Sequence, residues 1–158
     1  MRQTAGRHRK LRFEKITDLT AELDRILAAE RAGTLRTNGQ WSPGQILGHL
    51  ASWINYAYVG YPMRRPPWPI RMILRWKVSK YLRDGMPTGV RIPRTKDGTF
   101  GIEPMGLAEG DKRLREALER LSRREPAKYE SPAFGPMSLD QRIQLTLRHA
   151  ELHLGFLA

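Results

Sequence analysis

Apolar residues recur at helical spacing in five stretches of the chain, and the segments between them lose that period. Leu19, Leu23, Ile26 and Leu27 share one face behind Thr17 and Asp18, either of which can cap, which predicts a first helix ended by Gly33. In Trp41-Ser42-Pro43-Gly44-Gln45, Ser42 is a good N-cap, Pro43 fits the first turn and Gln45 completes a capping box, so a second helix is predicted from Pro43 to about Tyr58. Its apolar set is Ile46, Leu47, Leu50, Trp53, Ile54 and Ala57. His49 falls at the margin of that stripe, near Gln45, Ser52 and Tyr56, a position suited to a cleft.

Tyr61 to Pro69 holds four prolines and cannot be regular helix. Ile70 to Arg83 reads as a basic helix with Ile70, Leu74, Val78 and Tyr81 along one side, an insertion or a lid. Gly85 to Gly106 is rich in Gly and Pro and reads as a long surface connection with an extended piece at Val90 to Pro93. A helix from Leu107 to Arg124 turns Leu107, Leu114, Leu118 and Leu121 inward, opposes Glu116 to Arg120 on its outer side, and ends at Glu125-Pro126. The turn-rich Ser131 to Pro136 leads to Ser138, which with Gln141 repeats the capping box before a last helix predicted over Leu139 to Ala158. Apolar residues cover ~220° of that helix, with His149 and His153 inside the arc and Gln144, Arg148 and Glu151 on the polar side. The expectation is one all-α domain over residues 1–158, with a basic, flexible arm at 1–12 and an insertion and long loop at 61–106.

Composition narrows the chemistry. With no cysteine among 158 residues, disulfides, thiolate ligands and a cysteine nucleophile are excluded. No apolar run is long enough to span a bilayer and no apolar stretch follows the basic N-terminus, so a soluble cytoplasmic protein is expected. The net charge of +12 comes from clusters at Arg2 to Lys15, Arg64 to Arg83 and Lys112 to Arg124. It reads as a solvated basic surface or as an attractor of anionic partners: a small anionic substrate, a nucleic acid or an acidic membrane surface. No zinc-finger spacing and no RNA-binding aromatic motif accompanies it.

Four histidines exist, and three of them stand in helices. His149 and His153, one turn apart, carry Cβ atoms ~6 Å from each other and can aim two ring nitrogens at one ion, with His49 as a third ligand from another helix. Three neutral imidazoles leave positions for water or substrate, the open arrangement of a catalytic metal. The competing reading is three separate buried rings, each satisfied by a carbonyl or by a hydroxyl such as that of Thr146 or Tyr56. His8 lies apart in the basic arm. Ser42 and Ser138 are caps, and no carboxylate completes a hydrolytic triad. Glu151 sits between the paired histidines in an HxExH order unlike the zincin HExxH, on the opposite face, and is not expected to be a general base. The tryptophans read as packing anchors, with Tyr56 the one aromatic of interest beside His49.

Trp41-Ser42-Pro43-Gly44-Gln45-Ile46-Leu47-Gly48-His49-Leu50-Ala51, with Arg148-His149-Ala150-Glu151-Leu152-His153-Leu154 far downstream, resembles the DinB-like superfamily, and more narrowly an uncharacterised bacterial DinB-related subfamily. The resemblance covers nearly the whole chain. It implies a four-helix bundle with crossed connections, a divalent metal such as Zn²⁺, Ni²⁺ or Mn²⁺ at His49, His149 and His153, and a homodimer. Characterised relatives include transferases and isomerases that use low-molecular-weight thiols, which implies activation of a thiol or a water here. The alternatives are a non-catalytic basic protein on a membrane surface or nucleic acid, and a bundle that simply dimerises.

Overall fold

The structure is a computed structural model, and it describes residues 8–158. Among these residues five helices follow one another: α1 (Ile16–Arg31), α2 (Pro43–Val59), α3 (Trp68–Asp84), α4 (Leu107–Ser122) and α5 (Leu139–Leu154). Among the described residues β-pairing is confined to the isolated bridges Thr37 to Leu157 and Ser131 to Gly135. Among the described residues no helix is long and apolar enough to cross a membrane.

Local chemistry sets the helix starts. Ser42 and Ser138 accept hydrogen bonds from the backbone N–H of Gln45 and Gln141, whose side chains reach back to the cap residues, as the sequence predicts. α1 begins at Ile16, before the expected Thr17 or Asp18. There the Asp18 carboxylate accepts from the backbone N–H of Glu14 at 2.9 Å and of Lys15 at 3.0 Å, so Asp18 caps from inside the first turn.

α1, α2, α4 and α5 supply the core: Leu19, Leu23 and Ile26 meet Leu47, Leu50 and Ile54 of α2, Leu114, Leu118 and Leu121 of α4, and Leu147 and Leu154 of α5. α2 and α4 make the most extensive helix–helix contact. α3 stands outside this cluster and buries a single residue, Val78.

α5 ends four residues short of the predicted Ala158. Its last residues turn away and pair with the loop after α1, Ala158 donating to the Arg36 carbonyl at 2.8 Å and Arg36 to that of Ala158 at 2.7 Å. Of the basic arm, residues 1–7 lie outside the described residues. His8 to Phe13 runs against α5 and its end: Arg9 N–H donates to the Gly155 carbonyl at 2.7 Å, and Phe13 N–H to Glu151 Oε1 at 2.6 Å. This corrects the polar side expected for α5 at Arg148 and Glu151, which the segment covers, while Gln144 stays exposed. Arg148 and Glu151 are 3% and 7% exposed and face each other at 3.1 Å, while Arg148 Nη2 donates to the Phe13 carbonyl. Burial holds the Glu151 carboxyl above its usual range and the Arg148 guanidinium below its own.

Candidate metal centre

α2 carries His49 inward, 2% exposed, and α5 brings His149 and His153 to the same place, one turn apart. One nitrogen from each ring lies within 4.8 Å of the other two. The ring centroids are 4.7 to 5.0 Å apart and the planes stand at 69 to 78° to one another, so the rings meet edge-on rather than stacked. His49 Nε2 and His149 Nε2 are 3.2 Å apart. Two nitrogens bound to one ion at ~2.1 Å with a tetrahedral angle would sit ~3.4 Å from each other, close to that separation.

The protonation pattern suits metal binding. His49 Nδ1 lies 2.9 Å from the Phe100 carbonyl, which accepts its proton and so assigns the lone pair to Nε2, on the side of His149. Burial pushes His49 down to about 4, despite the carbonyl, which opposes the shift. Burial holds His149 and His153 well below the ordinary imidazole value, and the neighbouring rings push the same way. All three are therefore neutral at pH 7. His153 Nδ1 is buried with no hydrogen-bond partner, an orphaned donor or acceptor of the kind a bound group would satisfy. The residues present fit a divalent ion.

A family model described as a protein of unknown function, DUF1569, matches residues 5–158, almost the entire chain. The chain belongs to the DUF1569 family. No curated protein and no solved structure matches it.

In this DUF1569 chain the Phe100 carbonyl reaches His49 because the loop from Phe100 to Gly106 lies directly on α2. Gly44, Gly48 and Ser52 make a strip of small residues at a spacing of four that accepts it. A Cβ on Gly48 would stand 2.4 Å from Met105 Sδ, and one on Gly101 2.7 Å from Ser52 Cβ; Gly101 also holds φ +72°, where other residues are strained. Gln45 pins the same loop by donating to the Ile102 carbonyl at 3.0 Å, and Trp53 Nε1 donates to Phe100 at 3.3 Å.

Trp41 stacks on His153, centroids 5.3 Å apart at 16°, and lies 5.0 Å from His49; Trp53 is 6.1 Å from His49 and 6.0 Å from His149. Both indoles, expected only to pack, thus wall the histidine cluster. Tyr56 packs its ring against Trp53 and Tyr61. His8 hydrogen-bonds the Leu152 carbonyl at 2.8 Å and meets Phe156 edge-on, and it is not one of the three converging histidines. A cavity of about 1700 Å³ extends from the three histidines under α3. Leu50, Ile54, Leu74 and Leu145 give it apolar walls, and Arg64, Arg65, Arg91 and Arg142 add positive charge. Glu151 is turned to Phe13 and Arg148.

Proposed function

We propose that this DUF1569 protein is a divalent-metal-dependent enzyme of the DinB-like type. In this reading α1, α2, α4 and α5 form the four-helix bundle, residues 61–106 are its basic insertion, and His49, His149 and His153 hold Zn²⁺, Ni²⁺ or Mn²⁺. The single observation that supports it is the convergence of three neutral imidazoles, from two helices, on one point in the wall of a large cavity.

When bound, the ion would supply Lewis acidity toward a water or a low-molecular-weight thiol. The chain's own part is positional and electrostatic. The Phe100 carbonyl fixes the His49 tautomer and ring plane, as carbonyl and carboxylate partners do around metal-bound histidines. Trp41 and Trp53 exclude water from two sides, which lowers the local dielectric and strengthens every charge interaction inside. Arg64, Arg65, Arg91 and Arg142 draw a small anionic substrate into the cavity, whose apolar walls take the rest of that molecule.

The test is equilibrium dialysis of protein purified without an affinity tag against Zn²⁺, Ni²⁺ and Mn²⁺. Uptake of about one equivalent is expected, and the Co²⁺-loaded protein should change its visible spectrum when a small thiol is added, because a coordination position is free. Uptake below about a tenth of an equivalent for every ion removes the reading.

A further inference from the structure

Among the described residues α3 is the least buried helix and carries most of the exposed large apolar side chains. Eight large hydrophobic residues are exposed among the described residues, and five of them belong to α3: Trp68, Ile70, Met72, Ile73 and Trp76. Trp76 is 86% exposed, Trp68 70% and Met72 62%. Singly exposed apolar residues need no explanation, but here residues 68, 72 and 76 fall within ~80° of arc on one helix, with Ile73 beside them. The opposite side of α3 faces the protein, through Val78, Leu74 and Tyr81, the last meeting Phe134 edge-on at 6.2 Å.

Charge decides what can cover that face. From residue 60 to 101 the chain has ten Lys and Arg against two acidic residues, Asp84 and Asp97. Arg75, Lys77 and Lys80 are exposed at the rim of the apolar patch. A second copy docked across a two-fold axis would bring the same cations against themselves. A nucleic acid would meet two indoles and a methionine standing in front of the cations that should reach its phosphates. An anionic lipid surface matches both parts: indoles and aliphatic chains enter the headgroup boundary while Lys and Arg meet the headgroups.

We propose that the outward face of α3 docks on an anionic membrane surface, with Trp68, Met72, Ile73 and Trp76 inserted and Arg75, Lys77 and Lys80 in the headgroup layer. The helix lies in the plane of the surface, being too short and too charged to cross. This docking is independent of the metal.

Sedimentation with phosphatidylcholine vesicles, with or without about one third phosphatidylglycerol, tests it across a salt series from about 0.05 to 0.5 M. Binding is expected only to the anionic vesicles and should fall with salt. The double variant Trp68→Ser/Trp76→Ser should lose about ten-fold or more in partitioning, and Lys77→Gln/Lys80→Gln about five-fold per charge. Brominated lipids in the bilayer should quench the fluorescence of the unaltered protein, a readout that does not depend on the variants folding. No sedimentation at the lowest salt, no quenching, or unchanged binding by a folded tryptophan variant would each overturn the proposal. So would salt-sensitive binding to a DNA duplex without vesicle binding, or a dimer abolished by the tryptophan changes without vesicle binding.

Discussion

His49 is tied through Nδ1 to the carbonyl of Phe100 at 2.9 Å, and that one contact makes a loop residue part of the histidine cluster. The carbonyl can approach only because Gly101, the next residue, takes φ +72° against Ser52. Gly101→Ala therefore strains the backbone and pushes the loop off α2, a combined cost of about 1–3 kcal/mol. Zn²⁺ affinity should fall by about ten-fold or more with the three histidines intact, since partners of metal-bound histidines matter to that degree. Thermal unfolding and a competitive chelator titration measure the two effects.

His153 offers a variant in which stability and binding should part. Its Nδ1 is buried without a partner, so His153→Leu removes an unsatisfied polar atom and should leave metal-free protein as stable as before, or more stable by about 1 kcal/mol. Addition of Zn²⁺ should raise the Tm of the unaltered protein and leave that of the variant unchanged. A variant that still gains Tm with Zn²⁺ would remove His153 from the ligand set.

The pair under the N-terminal arm gives a purely structural prediction. Glu151→Ala leaves the Arg148 guanidinium buried and uncompensated, which costs about 3–5 kcal/mol and lowers Tm by on the order of 10 °C. Glu151→Gln, which still accepts from Phe13 N–H, should cost less. Differential scanning calorimetry of the two variants checks the order.

Acid sensitivity should trace partly to Glu22. Burial raises its carboxyl, but hydrogen bonds from Arg25 and Arg9 outweigh that and hold it below the usual value. A carboxyl depressed in the folded state is protonated first in the unfolded chain, so its contribution is complete above an unfolded value of about 4.5 and is lost as pH falls through the folded one. Glu22→Gln should therefore lower Tm at pH 7 and flatten the decline of Tm below about pH 4.5. An equally steep decline in the variant would contradict the assignment.

The sequence exposed those features whose signals are local. Ser42 with Gln45 and Ser138 with Gln141 mark the helix starts, and the spacing of His149 and His153 puts two rings on one face whatever surrounds them. What it concealed depends on distant pieces of chain. Arg148 and Glu151 look solvated on a wheel because a wheel holds only one helix, and Phe13 covers them from more than a hundred positions away. The Phe100 carbonyl has no sequence signature at all. The strip Gly44, Gly48 and Ser52 was the available hint that another segment lies on α2. Trp41 reads as an anchor beside a cap until its ring is found stacked on His153.

Crystals grown with Zn²⁺ and measured at its absorption edge address the central claim most directly. A single anomalous peak about 2.1 Å from His49 Nε2 and from one ring nitrogen each of His149 and His153, with one side open toward the cavity, is the expected result. Three rings turned apart around an empty centre, with the anomalous signal elsewhere, would contradict it.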